Sequence, residues 1–290
     1  FAHRLAGLRD ELAGTVKFLF QPAEEGAPRG EEGGAELMVK EGALENPKPD
    51  AVFGLHVTSR FPGGTIAYKP GSMMAAVDTL TIDVRGRQTH GAYPWLGVDP
   101  IVVASQIVLG LQTIPSRQLD SSLAPSIVTI GMIRGGVRNN IIPDNVQMVG
   151  TIRSLDKEMR NDIHRRIRRT AENIAESAGA TATVTITTGY PVVYNDPAMT
   201  DRAAPIFQRL ADDAVVVNPV LGAEDFSFFQ EKVPGVFYWL GTRPKNQSAE
   251  EAPSNHSPLF YIDESGLLLG VRSLATLALE FGAPVSSPAQ

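Results

Sequence analysis

The sequence predicts an α/β fold in which one domain is inserted into another. Near both ends of the chain, apolar strands alternate with segments whose apolar residues recur every three or four positions, as in helices. Between these ends, apolar and polar residues alternate, which is typical of an antiparallel sheet with one face in water. We therefore expect a discontinuous α/β domain made of residues 1–71 and 193–290. The inserted domain is expected at residues 72–192.

The discontinuous domain is predicted from short apolar strands and amphipathic helices. Its strands are expected at residues 15–20, where Gln21-Pro22 ends the alternation, at 51–57, a nearly continuous apolar run, and at 233–240. Its helices are expected at residues 33–41, from 199 to about 211, and at 267–281, with Asp263 as the N-cap of the last helix. Residues 284–290 are expected to be loose.

The inserted domain begins with a strand at residues 79–85, in which Leu80, Ile82 and Val84 alternate with polar side chains. The elements that follow are a helix from 99 to about 113, strands at 126–133 and 146–153, a helix at 156–178, and a strand at 181–187. The order βαββαβ is that of the ferredoxin-like unit. The sequence therefore predicts a ferredoxin-like inserted domain.

Composition excludes several classes of function. The 290 residues carry a formal net charge of −6, which argues against a nucleic-acid partner, because such a protein needs a basic face to displace counterions from phosphate. No stretch approaches the roughly 18 apolar residues of a membrane span, so no membrane partner and a cytoplasmic location are expected. The chain has no cysteine, so any metal site within it must use His, Asp or Glu.

Acidic and histidine residues near predicted strand ends are candidates for chemistry. In the pair Glu24-Glu25, one carboxylate can hold a cation while the other accepts a proton from water, although a solvated acidic turn is the commoner interpretation. His56, at the end of an apolar strand, and His256, in a polar loop, are metal-ligand candidates whose alternatives are a core histidine and a surface histidine. A further histidine, His164, is interpreted as solvated.

Six short motifs occur in order along the chain. They are Gln21-Pro22-Ala23-Glu24-Glu25-Gly26, Gly54-Leu55-His56-Val57, Thr89-His90-Gly91-Ala92, Asn140-Ile141-Ile142-Pro143-Asp144, Gly222-Ala223-Glu224-Asp225-Phe226 and Asn255-His256-Ser257-Pro258. Together they make the chain resemble the dinuclear metallo-amidohydrolases related to aminoacylase and carboxypeptidase, over essentially all 290 residues. Within that family it resembles the branch of hippurate hydrolases, N-acetyldiaminopimelate deacetylases and auxin-conjugate hydrolases.

The resemblance implies a catalytic α/β domain with an inserted lid domain that usually also forms a homodimer. It implies metal-dependent hydrolysis of the amide bond of small N-acyl amino acids. The implied cofactor is a divalent metal, zinc or manganese, with two ions in a complete site. On this match Glu24 is the general base that activates a metal-bound water. The implied metal ligands are Glu25, His56 and His256.

The resemblance also assigns roles to residues of the lid. His90, on the loop after the first lid strand, would steady the oxyanion of the tetrahedral intermediate and typically reaches the partner subunit's site. Asn140 and Arg153 are implied to hold the substrate carboxylate, since arginine is suited to bidentate capture. Trp95 stands where the branch often has a second histidine, so the resemblance does not assign the substrate contacts of this loop.

The chain departs from the branch at its beginning. A His-Ala-Cys-Gly-His-Asp motif, which supplies a cysteine and a histidine ligand, would precede Phe1. We therefore expect this N-terminal segment to be missing and the 290 residues to hold one metal ion or none. The alternative function is a non-catalytic remnant of the same fold, acting as a dimeric or binding protein. Metal content separates the two hypotheses.

Overall fold

The computed structural model describes residues 2–7, 9–28 and 30–282. Its helices are α1 Ala2–Ala6, α2 Gly34–Lys40, α3 Pro100–Thr113, α4 Lys157–Ser177, α5 Pro197–Leu210, α6 Ser227–Gln230 and α7 Leu267–Gly282. Its strands are β1 Val52–Pro62, β2 Thr65–Tyr68, β3 Gly71–Met74, β4 Ala76–Arg85, β5 Thr89–His90, β6 Ser126–Gly135, β7 Ile141–Ile142, β8 Asn145–Ser154, β9 Thr181–Thr188, β10 Val193–Asn195, β11 Asp213–Val216 and β12 Gly235–Arg243. The segment 284–290, predicted to be loose, lies outside the described residues.

Helices and sheets together confirm the mixed α/β fold class. The chain divides into two compact units. Unit 1 contains Phe1–Met73, Val193–Pro219 and Asp225–Gln290, and unit 2 contains Met74–Val192 and Val220–Glu224. Each unit has a four-stranded sheet of its own.

The sheet of unit 1 has the strand order β1-β12-β2-β11. Strands β1 and β12 are parallel, and their register places His56 opposite Trp239. Strand β12 runs antiparallel to β2, which in turn is parallel to β11. The apolar runs predicted at 51–57 and 233–240 are thus adjacent strands, which explains why both lack regular alternation.

Helices α5 and α7 pack with this sheet around one apolar core. The core residues are Ile66, Tyr68, Ala203, Ile206, Phe207, Val236, Tyr238, Leu240, Leu269 and Leu277. The carboxylate of Asp196 caps α5 by accepting a hydrogen bond from the Met199 amide, and Pro197 occupies the first turn, where its missing N–H costs nothing. This core holds the sheet whose strand β1 carries His56.

The prediction of a strand at residues 15–20 is wrong. The structure describes these residues outside any helix or strand. The rings of Phe18 and Phe20, two positions apart, stack with their centroids 6.3 Å apart. The Lys17 ammonium donates to the carbonyls of Ala43 and Glu45, which anchors the segment without a sheet. Alternation reports an extended conformation, whereas a strand also needs a neighbouring strand to pair with.

One segment departs from the expectation that no stretch is long enough to span a membrane. The helical segment Glu264–Gly282 is 19 residues long with a mean hydropathy of 1.2, which suffices by length and composition alone. The expectation was based on uninterrupted runs of apolar residues. The mean hydropathy of this helix remains high even though the helix contains the charged residues Arg272 and Glu280. One such helix is weak evidence for a span, and its buried Leu269 and Leu277 belong to the core of unit 1. The cytoplasmic location stays a prediction.

Unit 2 contains an antiparallel sheet with the strand order β6-β8-β4-β9. Along the chain its main elements are β4, α3, β6, β8, α4 and β9, the order βαββαβ. Strand β4 alternates buried and more exposed residues, and its buried Leu80, Ile82 and Val84 pack against both helices in one core. Asp99 and Asp156 cap α3 and α4, so the two helices begin at their aspartates.

The interpretation of His164 as solvated is wrong. Its Nε2 lies 2.6 Å from Oδ2 of Asp78, and Asp78 is buried on β4. The Arg160 guanidinium binds the same carboxylate through two nitrogens. Burial raises the pKa of Asp78, but the hydrogen bonds from Arg160 and His164 outweigh burial and hold this pKa well below its usual range. A polar helical pattern does not reveal a partner buried on another element.

Candidate metal and catalytic site

The predicted metal ligands of unit 1 line one cavity. This cavity has a volume of about 560 Å³, and its lining includes Glu25, His56, Val57, Asn255, His256 and Phe260. These residues come from three distant parts of the sequence: the loop after residue 20, strand β1 and the loop before α7. The fold therefore brings together three side chains that the sequence marked as metal-ligand candidates.

His56 has the hydrogen bonding that a metal ligand needs. Its Nδ1 lies 2.6 Å from the Val57 carbonyl oxygen. Because a carbonyl only accepts hydrogen bonds, Nδ1 carries the ring proton and Nε2 keeps its lone pair. Metal-ligating histidines are typically held in this way, with the second nitrogen donating to a carbonyl or carboxylate. The Trp239 ring packs edge-on at 5.1 Å and further restricts the imidazole.

His56 does not end its strand, contrary to the sequence prediction. Strand β1 continues to Pro62, and its pairing with β12 shifts register between Thr58 and Pro62. The apolar run stops at Val57, but neither the strand nor its burial does, because Thr58 and Ser59 are buried. The change from apolar to polar residues thus marks neither the end of the strand nor the end of burial.

His256 lies in a loop that is tied to the same strand. The Asn255 side-chain amide donates to the Val57 carbonyl at 2.9 Å, and its oxygen accepts from the Ser59 amide at 3.4 Å. His256 itself has a φ of +69°, in the left-handed region that non-glycine residues rarely occupy. Such conformations concentrate at functional sites, where the surrounding structure enforces them. The Val57 carbonyl therefore orients both histidine-bearing segments.

Glu25 and His256 are spaced as ligands of one ion would be. Oε1 of Glu25 lies 3.6 Å from Nε2 of His256. Two ligands bound at about 2.1 Å to a tetrahedral ion lie about 3.4 Å apart. Both side chains are about 70% exposed, so an ion can reach them from solvent. The nitrogen and oxygen donors of Glu25, His56 and His256 are of the types that zinc and manganese bind, and the spacing of Glu25 and His256 fits one such ion.

The candidate base, Glu24, precedes Glu25 in a loop that Asp225 anchors. Glu24 is half-buried, and one of its carboxylate oxygens lies within 4.8 Å of an Asp225 oxygen. Asp225 is buried and accepts hydrogen bonds from Gln21 and from the Ala35 amide. Sequence reasoning assigned no role to Asp225. The signal that pointed to it was the motif Gly222-Ala223-Glu224-Asp225-Phe226, which sequence alone could not assign to a helix start or to a site.

Unit 2 brings together two of the three predicted lid residues. Strands β5 and β7 pair His90 with Ile141, and the Gly91 amide donates to the Asn140 carbonyl at 2.8 Å. The backbones are so close that a Cβ at position 91 would lie 3.2 Å from that carbonyl oxygen. His90 and Asn140 are therefore neighbours on an exposed loop pair. The exposed Tyr93 ring packs against His90 at 5.5 Å, and the exposed Trp95 ring packs edge-on against Tyr93.

The hydrogen bonding of His90 differs from that of His56. Its Nδ1 accepts a hydrogen bond from the Ala92 amide at 3.0 Å. In the neutral ring the proton is consequently on Nε2, which makes Nε2 a donor. The third lid residue, Arg153, lies on β8 of the larger sheet, where its guanidinium donates to the Leu221 carbonyl at 2.7 Å. It is half-buried and not part of the β5–β7 pair.

Comparison with known proteins identifies relatives of this chain. The model of peptidase family M20/M25/M40 matches residues 1–280. Thermostable carboxypeptidase 2 of Saccharolobus solfataricus is 38% identical over 281 residues, which are 97% of this chain and 69% of the relative. N-acetylcysteine deacetylase of Bacillus subtilis is 39% identical over 271 residues, which are 93% of this chain and 67% of the relative.

A solved structure agrees with these matches. The Bacillus subtilis YXEP protein, described as a dinuclear metal-binding peptidase of the M20 family, has a TM-score of 0.79 and is 35% identical. The match covers 97% of this chain and 69% of that protein. The family resemblance predicted from the six motifs is thus confirmed.

Proposed function

Because the chain belongs to peptidase family M20/M25/M40 and is a hydrolase, we propose that it cleaves the amide bond of small N-acyl amino acids with a bound divalent metal ion. The observation that carries this proposal is the convergence of Glu25, His56 and His256 on one cavity, with Glu24 beside Glu25. The similarity to a protein named as an N-acetylcysteine deacetylase supports the substrate class.

Glu25, His56 and His256 would hold the metal. When bound, a divalent ion polarises a carbonyl oxygen and lowers the pKa of water. The Val57 carbonyl keeps the Nε2 lone pair of His56 available by accepting the proton of Nδ1. Through Asn255, it also holds the loop that carries His256. We expect zinc or manganese in this site, and a complete dinuclear site would need two further protein ligands beyond these three.

Glu24 would act as the general base. A water oxygen attacks the carbonyl carbon of the amide while Glu24 takes one of the water protons. Glu24 would then deliver that proton to the amide nitrogen, and the C–N bond would break. The remaining hydroxyl proton would pass to the amine, so the products leave as a carboxylate and an ammonium ion. Glu24 and Glu25 are adjacent in the sequence, so the base lies next to a metal ligand. Because adjacent side chains diverge, the two carboxylates can take different roles.

Three residues of unit 2 would bind the substrate. Nε2–H of His90 is a donor, because the Ala92 amide occupies Nδ1, so it can stabilise the oxyanion that develops on the carbonyl oxygen. Asn140 lies beside His90 and offers amide donors, and Arg153 offers a guanidinium to the substrate carboxylate. The exposed ring of Trp95 supplies an apolar surface for the acyl group.

Residues 72–192 would form a ferredoxin-like lid that also makes a homodimer. The strand order β6-β8-β4-β9 supports this topology and leaves β6 and β9 as edges. Edge strand β6 exposes the apolar residues Ile127, Met132 and Ile133. Edge strand β9 instead exposes the threonines Thr181, Thr183, Thr185 and Thr187. Because an apolar edge favours pairing with another chain, β6 is the proposed dimer edge.

We expect Ile133→Lys to convert the dimer into a monomer. Ile133 is 57% exposed on β6, and a charge there would have to be buried against a second copy. Light scattering after size-exclusion chromatography measures the change, and Thr183→Lys on β9 is the matched control, expected to remain dimeric. A wild-type protein that is monomeric at all concentrations, or an Ile133→Lys dimer, would contradict the proposed edge.

The proposed function is tested by hydrolysis of N-acetyl and N-benzoyl amino acids before and after chelation. For a protein with a complete dinuclear site, we expect turnover that a chelator abolishes and that zinc or manganese restores. Because three ligands hold one ion, residues 1–290 by themselves are expected to turn over little or not at all compared with a complete dinuclear site. Hydrolysis that survives chelation would contradict the mechanism. A protein that neither binds metal nor hydrolyses these substrates would instead favour the non-catalytic binding protein.

A further inference from the structure

We propose that Asp225 and Phe226 form a positioning element, which sets the loop of Glu24 and Glu25 against strand β1. The inference rests on the proposed function, because it explains how the base and one metal ligand are held near the other ligands. Neither residue is assigned a part in binding metal or substrate. Their role would be to fix the distance between two segments that are far apart in the sequence.

Asp225 holds both ends of the loop. Its two carboxylate oxygens each lie 2.7 Å from Nε2 of Gln21, and Oδ2 also accepts from the Ala35 amide at 2.7 Å. Residues 21 and 35 bracket the segment that carries Glu24 and Glu25. Asp225 is only 2% exposed, and a buried carboxylate is stable only when such donors satisfy it. The loop and the carboxylate therefore depend on each other.

Gly34 makes one of these contacts possible. Its φ is +68°, a conformation that side chains disfavour, and a Cβ at this position would lie 2.5 Å from Oδ2 of Asp225. Only glycine therefore lets the carboxylate approach the Ala35 amide this closely. Both the residue type and the backbone conformation at position 34 therefore suit the contact with Asp225. This indicates that the contact is specific.

Phe226 holds the other side of the element. A Cβ on Gly54 would lie 2.7 Å from its ring, so the ring packs directly on the backbone of β1. Gly54 is two residues before His56 on that strand. Phe226 is 7% exposed, and its ring lies 5.3 Å from that of Phe237 on the neighbouring strand β12. Successive residues thus contact the Glu24-Glu25 loop and the strand of His56.

Loss of the Asp225 contacts should move Glu24 and Glu25 relative to His56. Supporting partners of metal ligands typically contribute about 10-fold to 100-fold in metal affinity or activity. We therefore expect Asp225→Asn to weaken zinc binding by about 10-fold to 100-fold. The amide keeps the size of the carboxylate but turns one acceptor into a donor that faces Gln21.

The experiment compares four variants with the unmodified protein. Asp225→Asn and Gln21→Met each break the contact between residues 21 and 225. Gln21 is only half-buried, so Gln21→Met still tests the contact if Asp225→Asn does not fold. The double variant Gln21→Glu with Asp225→Asn exchanges the carboxylate and the amide, which restores a donor–acceptor pair. Asp196→Asn is the control, because asparagine caps a helix as well as aspartate does.

Two measurements are made on each variant. Zinc affinity is measured by competition with a chromophoric chelator, and hydrogen exchange of residues 21–35 is measured in the metal-free protein. We expect both single variants to bind zinc more weakly and to exchange faster in this segment. The exchanged pair should recover most of both properties, and the control should match the unmodified protein.

The outcomes separate this inference from the proposed function. Unchanged exchange and zinc affinity in both single variants would overturn the positioning role. A double variant as weak as Asp225→Asn would also overturn it, because it would show that a carboxylate is needed at position 225 itself, as in a direct ligand. If the unmodified protein binds no zinc, the proposed function fails, while the exchange data still decide whether Asp225 anchors the loop.

Discussion

Glu24→Gln is expected to lower turnover of N-acyl amino acids by at least about 100-fold, and by as much as about 10,000-fold, the usual range for general base catalysis. The amide of glutamine cannot accept the proton of the attacking water, yet it has nearly the same shape as the carboxylate. The fold and the bound metal should therefore be unchanged. Steady-state kinetics on a protein with a complete metal site, together with elemental analysis, measure both expectations.

Glu31→Gln is the matched control for this substitution, because Glu31 is an exposed carboxylate of the same loop. It should retain the wild-type rate. A near wild-type rate in Glu24→Gln would show that another group is the base. Loss of metal in Glu24→Gln would instead make Glu24 a ligand, and the roles of the Glu24-Glu25 pair would have to be exchanged.

His90→Ala is expected to lower turnover by about 100-fold to 1000-fold, the usual cost of removing one oxyanion donor. Metal content should not change, because the Ala92 amide occupies Nδ1 and the proton sits on Nε2, leaving no free lone pair for a metal. Kinetics and elemental analysis on the same preparation test both statements. His90→Gln, which restores a side-chain donor, should recover part of the lost rate.

His3→Ala replaces an exposed histidine of α1 and serves as the control. It should leave turnover and metal content unchanged. If His90→Ala lost metal together with activity, His90 would be a ligand and the oxyanion role would be overturned.

The elements that could be predicted from sequence are those in which local signals and tertiary packing agree. Helix α4 begins at Asp156, a residue that both breaks the helical pattern and caps the first turn. Strand β4 shows its alternation because one face of its sheet packs on helices and the other does not. His56 and His256 were marked as candidates by their type and by their neighbours, and the fold places both on one cavity.

The remaining features depend on partners that are distant in the sequence. Residues 15–20 alternate like a strand, yet Lys17 holds this segment through carbonyls that lie more than twenty positions away. The pairing of His164 with Asp78 and of Gln21 with Asp225 joins elements whose packing no local pattern encodes. The positive φ of His256 likewise follows from the loop that Asn255 ties to β1.

The central claim is that Glu25, His56 and His256 hold a divalent ion, and zinc content after equilibrium dialysis tests it most directly. We predict one tightly bound zinc per chain for residues 1–290, since three protein ligands hold one ion with an open position. His56→Ala and His256→Ala should each lose it, and Ser257→Ala, which changes a non-ligand on the same cavity, should keep it. Zinc retained by both histidine variants, or none bound by the unmodified chain, would contradict the assigned ligand set.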